Sequence, residues 1–292
     1  MKPPIKIDFL GIGPPKAGTT WLGHMLERHP EICMSEPKEV NYFNDSLSFN
    51  KSQTSTNYHR GEQWYATHFR HCQKNKLKGE ITPRYILDPV VPQRIKDHNP
   101  DIKLIVCLRS PYDRIISHYH SAKDFHKSEK RPISIAIREE PEYIGACLYY
   151  KNLAPFLSCF DLRQFYFMDL DEAKSNPTSE VKRLYTFLGV DSSFIPDSIS
   201  EKSNPARSTK SVWLRKSLSK IHSGLITVGL SPLIIFLKKL GLGRLINRLN
   251  SAPIIITELS PEDKLFINNA IEEDVKKLSA LLGKDFSPWL LY

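Results

Sequence analysis

The chain has 292 residues, 40% of them hydrophobic and 25% charged. That composition suits one large α/β domain or two small ones, and excludes disorder, collagen and a disulfide-stapled miniprotein. Its formal net charge of +9 is local, because ten cations and no acid lie between Lys202 and Asn250, leaving 31 cations against 32 acids elsewhere.

Residues 5–12 read as a buried strand, ending in Gly13-Pro-Pro-Lys-Ala-Gly-Thr-Thr20, and residues 21–29 as a helix. A strand, a glycine-bearing turn and a helix form a phosphate-binding layout. Helices are expected over 62–71 and over 90–98, where Asn99-Pro100 stops the second, with a short strand over 77–81 between them. The run 102–108 (Ile-Lys-Leu-Ile-Val-Cys-Leu) is the clearest strand and leads into Arg109-Ser110-Pro111, where Pro111 suits the first turn of a helix through Tyr119 to about Phe125. A strand is expected over 164–168, then a helix over 177–189 with Gly189 as its C-cap. The stretch 211–250 is basic, apolar and free of acids. Ser260-Pro-Glu-Asp263 caps a last helix that runs to Gly283.

Alternating strands and helices predict βαβ units on a mostly parallel sheet. The expected fold is a three-layer α/β, P-loop-type domain over 1–292 with a helical C-terminal extension, and with 202–250 as a basic amphipathic insertion or extension within it. Five cysteines (Cys33, Cys72, Cys107, Cys147 and Cys159) are odd in number and lack CxxC spacing, which fits neither a disulfide framework nor a zinc site and suits a reducing cytoplasm. The N-terminus shows no uninterrupted apolar run and no small-residue cleavage site, so no signal peptide is read. The longest apolar stretch, 224–237, has 14 residues broken by Ser231-Pro232. As a helix it would reach about 21 Å, short of a hydrocarbon core of about 30 Å.

The glycine spacing of Gly13 and Gly18 is that of a nucleotide-triphosphatase loop, yet Thr19 stands where that loop has its lysine, and the only lysine, Lys16, lies inside. A loop of this form offers backbone N–H groups and two hydroxyls to a 5′-phosphate, with Lys16 aimed at the bond being broken. The string Pro15-Lys16-Ala17-Gly18-Thr19-Thr20-Trp21-Leu22 resembles the 5′-phosphosulfate loop of sulfotransferases that use 3′-phosphoadenosine 5′-phosphosulfate (PAPS). That family also has an Arg ending a strand and a Ser eight residues on in the next helix, both holding the donor's 3′-phosphate; Arg109 and Ser117 match in type and spacing. The resemblance therefore assigns Lys16, Ala17, Gly18, Thr19, Thr20, Trp21, Arg109 and Ser117 to the donor. A sulfuryl group carries less charge than a γ-phosphoryl, so a lysine and helix dipoles can stabilise its transfer without a metal.

In-line attack on sulfur needs a base. Lys38-Glu39-Val-Asn-Tyr-Phe43 resembles a segment of heparan-sulfate-type sulfotransferases whose glutamate is the catalytic base, which points to Glu39. Gly61-x-x-Trp64-Tyr65 and Gly79-Glu80-Ile81-Thr82-Pro83-x-Tyr85 match two further segments of that group. Ile81 departs from it, standing where several members carry a lysine, and Lys38 is a candidate to supply that charge. Glu80 is the second candidate base, and Phe167 a candidate to stack on adenine or a core residue. His118 and His120 read as ordinary helix residues. The stretch Lys202-Ser-Asn-Pro-Ala-Arg207-Ser resembles a donor-side stretch of the heparan-type group, making Arg207 a further donor candidate. The resemblance covers 5–189 and returns at 280–289, similar to the ending of many bacterial sulfotransferases.

The resemblance implies a sulfotransferase that releases 3′,5′-ADP and acts on a carbohydrate or a small polar natural product. Two other classes stay open: a P-loop small-molecule kinase, and a non-catalytic nucleotide-binding relative at a membrane surface. No basic-aromatic reading surface accompanies the charge, so nucleic acid is not an expected partner. The expected location is cytoplasmic, with the 211–250 stretch covering the acceptor entrance, drawing in an anionic acceptor or resting on an anionic membrane surface.

Overall fold

A computed structural model describes residues 5–45, 57–199, 208–209, 251–252 and 257–290. Five strands, β1 (Phe9–Gly13), β2 (Ile32–Met34), β3 (Leu77–Ile81), β4 (Lys103–Leu108) and β5 (Phe165–Asp169), form a sheet in the order β2-β3-β1-β4-β5. Every neighbouring pair is parallel. The helices in chain order are α1 (Thr19–Arg28), α2 (Gly61–Ala66), α3 (Val91–His98), α4 (Pro111–His120), α5 (Ile133–Glu139), α6 (Pro141–Gly145), α7 (Tyr149–Leu157), α8 (Leu170–Ser175), α9 (Pro177–Leu188) and α10 (Pro261–Leu282).

Strand side chains alternate between two cores, which makes the three layers expected from the sequence. Leu10, Ile12, Leu104, Val106 and Leu108 meet α3, α4, α7 and α10 on one face. Phe9, Ile81, Ile105, Cys107 and Met168 meet α1, α8 and α9 on the other. A parallel strand buried on both faces is apolar along its whole length, and β4 is the plainest case. Phe167 belongs to this packing, stacked on Phe165.

Element ends differ from the sequence expectation where local hydrogen bonding intervenes. The 62–71 helix is α2 followed by a tighter turn, Thr67–Phe69. Helix α4 ends at His120 and passes into a π-helical turn, Ser121–His126. The last helix begins as expected, with Ser260 and Asp263 in a reciprocal capping box. Outside the main sheet, Ser208–Thr209 pairs antiparallel with Ser251–Ala252; 211–250 lies outside the described residues.

The cysteine reading needs correction. Cys33, on the edge strand β2, and Cys72, just past the turn after α2, form a disulfide with their Cα atoms 5.7 Å apart. Tertiary proximity pairs them across 39 positions, a relation that no local spacing signals. Cys107 and Cys147 are buried free thiols and Cys159 is a half-buried one.

Candidate active site at the carboxyl edge of the sheet

The connection from β1 runs to β2 on the β3 side while that from β3 crosses to β4 on the other side, so the two diverge and open a crevice at the carboxyl ends of the strands, where ligands bind in such sheets. Four segments reach that edge: the 13–18 loop after β1, the Glu39 loop after β2, the Thr82–Arg84 segment after β3, and Arg109 after β4.

The 13–18 loop departs from ordinary backbone at three points. Gly13 has φ 119°, and a Cβ there would lie 1.8 Å from the Pro83 carbonyl oxygen, so the close approach of loop and β3 segment requires glycine. Lys16 is left-handed at φ 72°, and Gly18, at φ 99°, precedes α1. Among the described residues no side chain caps α1, and the positive end of its dipole favours an anion there. Ala17 is wholly buried, Thr19 is buried and Thr20 half-buried at this helix start, and the Trp21 indole N–H donates to the Ile199 carbonyl at 3.4 Å.

Arg109 ties the two donor motifs together. Its Nη1 donates to the Lys16 carbonyl at 3.0 Å, fixing the peptide that holds the left-handed lysine. The Tyr149 hydroxyl donates to the Arg109 carbonyl at 2.7 Å, while the buried Arg109 Nε has no hydrogen-bond partner among the described residues. Ser117 is half-buried on α4, one turn before Ser121. The Lys16 ammonium donates to Ser121 Oγ at 2.7 Å. Burial lowers the Lys16 pKa; the charge of Glu39 opposes this, and those of Arg114, Arg84 and Arg109 add to it. Lys16 and Glu39 are thus close enough for their charges to act on each other.

Glu39 is half-exposed, with Lys38 Nζ 3.5 Å from its Oε1. A Cβ at Gly23 would lie 3.2 Å from Lys38 Cε and 3.5 Å from Ile81 Cδ1. The lysine stem therefore passes over α1 beside Ile81, and its charge reaches the region next to Glu39. Glu80 is not placed to act as a base. It is fully buried, and its two oxygens already accept from Thr82, Tyr85, Tyr65 and the Val40 N–H.

His118 lies in the cationic cluster behind Lys16. Burial, reinforced by Arg114, Lys16 and Arg84, lowers its pKa well below that of an ordinary histidine. Arg84 pairs with Glu142 at 2.7 Å, and Glu142 is 4.0 Å from His118. His120 instead bonds Asp124 at 2.6 Å and accepts the Thr257 N–H at 3.4 Å. Motif reading missed Ser121, Arg84 and Glu142; of these only Ser121, one turn beyond Ser117, had a signal in the helical repeat. Arg207 lies outside the described residues. Cys33, His71 and Cys72 bring metal-ligand atom types within 4.8 Å of one another, with both sulfurs already joined in the disulfide.

A sulfotransferase domain family model matches residues 6–223. The chain is similar to the membrane-associated sulfotransferase kil1 of Dictyostelium discoideum, 35% identical over 149 residues that cover 48% of this chain and 29% of that protein. It is also similar to human heparan sulfate glucosamine 3-O-sulfotransferase 5, 27% identical over 190 residues covering 61% and 52%. The chain thus spans about half or less of the length of these curated relatives. In fold it resembles the crystal structure of a sulfotransferase from Alicyclobacillus acidocaldarius, with a TM-score of 0.66 at 20% identity over 98% of this chain and 99% of that one. With three quarters of its length matched by the family model, the chain belongs to the sulfotransferase domain family.

Proposed function

We propose that this chain moves a sulfuryl group from PAPS to a hydroxyl or amine of an acceptor and releases 3′,5′-ADP. The observation that carries the reading is the hydrogen bond from Arg109 Nη1 to the Lys16 carbonyl, because it makes one unit of two anion sites. The donor is a dianion at one end and a phosphosulfate at the other, and the residues fit both. The uncapped start of α1, with Thr19 and Thr20, suits the 5′-phosphate. The guanidinium of Arg109, whose buried Nε has no hydrogen-bond partner among the described residues, suits the 3′-phosphate together with Ser117.

PAPS supplies an activated sulfuryl group on a phosphosulfate bridge. Lys16 places a desolvated ammonium where negative charge develops on the bridging oxygen. Glu39 accepts the proton of the attacking hydroxyl or amine, with Lys38 beside it holding the local charge near balance. We assign the acceptor to the carbohydrates, with small polar natural products as the second class; one relative's name specifies the glucosamine of heparan sulfate. No helix among the described residues is long and apolar enough to cross a membrane. A peripheral contact through 211–250 fits the basic, acid-free composition of that stretch and the name of the Dictyostelium relative.

The test is a label-transfer assay with radiolabelled PAPS over oligosaccharide and small-molecule acceptors, followed by mass spectrometry of the product. The expected product has gained SO₃, and Glu39→Gln lowers kcat while leaving 3′,5′-ADP binding intact. Magnesium-dependent transfer from ATP, with no effect of 3′,5′-ADP, would establish the kinase reading instead.

A further inference from the structure

The loop that carries Glu39 has no regular secondary structure, yet four successive main-chain N–H groups after Glu39 all end on side chains. Val40 N–H donates to Glu80 Oε1 at 3.3 Å and Asn41 N–H to Thr82 Oγ1 at 3.3 Å. Tyr42 and Phe43 N–H both donate to the Tyr85 hydroxyl, at 2.8 and 3.3 Å. All three receiving side chains belong to β3 and the segment that follows it, about forty positions along the chain. Irregular backbone at a buried edge needs such partners, and here they come from one short stretch.

The receiving hydroxyls are themselves oriented. Thr82 and Tyr85 each donate their single proton to Glu80 Oε1, at 2.5 and 2.7 Å, and the Tyr65 hydroxyl from α2 donates to Oε2 at 2.5 Å. With their protons committed to Glu80, Thr82 and Tyr85 have only lone pairs to turn toward the loop, which is what its N–H groups require. Glu80, Thr82, Tyr65 and Tyr85 are all wholly buried, so water does not compete for these bonds. Burial pushes the Glu80 carboxyl up, against the pull of the three hydroxyls and the Val40 N–H.

We propose that Glu80, Thr82 and Tyr85 are positioning residues for the transfer reaction: a buried acid accepts the Val40 N–H and orients two hydroxyls that fix the backbone at 41–43, so that Glu39, at the start of this stretch, is held toward Lys16. The inference rests on the reading of Glu39 as the base. It also gives physical roles to Glu80, Thr82 and Tyr85, which the assignment of residues to the sulfuryl donor leaves unused. Pro83, between them, carries the carbonyl that packs against Gly13, so one short segment braces both the base loop and the phosphate loop.

The test combines amide hydrogen exchange with kinetics on the full chain. Thr82→Val and Tyr85→Phe are expected to speed exchange at residues 41–43 by tenfold or more while β1 and β4 keep wild-type protection. They are also expected to lower kcat at least tenfold with the 3′,5′-ADP affinity and the donor KM unchanged. Thr82→Ser, which keeps the hydroxyl, restores both readouts, and Glu80→Gln, which keeps an acceptor at the Oε1 position, retains most of the protection. Unchanged exchange at 41–43 overturns the proposal, as does exchange that rises equally in β1 and β4, which would mark general destabilisation. Loosened amides with undiminished kcat overturn it too. The exchange readout needs no substrate, so a wild-type protein that fails to bind 3′,5′-ADP counts against the proposed function alone.

Discussion

Replacing Arg109 with Ala separates ligand binding from loop support. In the free protein Nη1 holds the Lys16 carbonyl at 3.0 Å, and the buried Nε has no hydrogen-bond partner among the described residues. A hydrogen bond to a charged group contributes about 1.5–3 kcal/mol, so losing the 3′-phosphate contact should weaken 3′,5′-ADP binding by about 10–150-fold. At a ligand concentration near 100 times the wild-type Kd, the wild type gains about 2.7 kcal/mol of stability. The variant at the same concentration gains only about 0.3–1.4 kcal/mol. The ligand-free protein should change little. Losing the bond to Lys16 costs stability, but the substitution also removes a buried donor whose desolvation costs about 1–3 kcal/mol, and the two effects oppose each other. Thermal unfolding with and without 3′,5′-ADP reads both quantities, and Arg109→Lys, which keeps the charge without the planar fork, should fall between. A ligand-induced shift in Arg109→Ala equal to that of the wild type refutes the assignment of Arg109 to the donor.

The pH dependence of turnover follows from Lys16. Burial lowers its pKa, and the charged form is the one that stabilises the leaving oxygen, so kcat falls as pH rises through a value below that of an ordinary lysine. Lys16→Arg should remove that alkaline limb; a wild-type profile flat through the ordinary lysine range contradicts the assignment. The same shift makes a stability statement. The unfolded chain keeps this proton to higher pH, so the buried ammonium costs stability at neutral pH, and the cost fades as pH rises through the folded-state pKa. Gly13→Ala forces a Cβ to within 1.8 Å of the Pro83 carbonyl oxygen at φ 119°. Denaturant unfolding should show a loss beyond the roughly 1–3 kcal/mol of the backbone conformation alone, and a loss under about 1 kcal/mol would mean that the loop does not press on Pro83. The Cys33–Cys72 disulfide closes a 39-position loop that contains Glu39. The Cys33→Ser/Cys72→Ser protein should lose about 4 kcal/mol of stability, matched by wild type in dithiothreitol, and identical unfolding midpoints with and without reductant would contradict the pairing.

Strands β3 and β4 and the helices at 91–98, 177–188 and 261–282 were legible because both-face burial, proline starts and glycine or serine caps leave signals within a few residues. The loop after β1 and the arginine after β4 stood out in the sequence for a different reason. An uncapped helix start and a strand-end arginine need particular residue types at fixed spacing. Strand β2 escaped because three residues are too few for a period. Helix α8 escaped because Asp169 ends β5 and caps the helix at once, leaving no loop to mark the change. The helices between 133 and 157 are short and broken by prolines, including Pro155 inside α7, which blurs their periodicity. What stayed hidden in the site was long-range: the Lys16–Ser121 bond depends on how the turn after α4 is placed. The role of Glu80 depends on Tyr65, Thr82 and Tyr85 converging on it. A glutamate in a motif resembling a sulfotransferase segment reads equally well as a base or as a brace until those partners are known.

The group that the site transfers distinguishes a sulfotransferase from a kinase most directly. Purified protein incubated in parallel with radiolabelled PAPS and with γ-labelled ATP plus magnesium, over the same acceptors and with a chelator in a further PAPS reaction, separates the readings in one experiment. The account predicts label transfer from PAPS alone, retained in the chelator, blocked by 3′,5′-ADP and lost in Lys16→Ala. Transfer from ATP that requires magnesium, or PAPS-dependent transfer that survives Lys16→Ala undiminished, would contradict it.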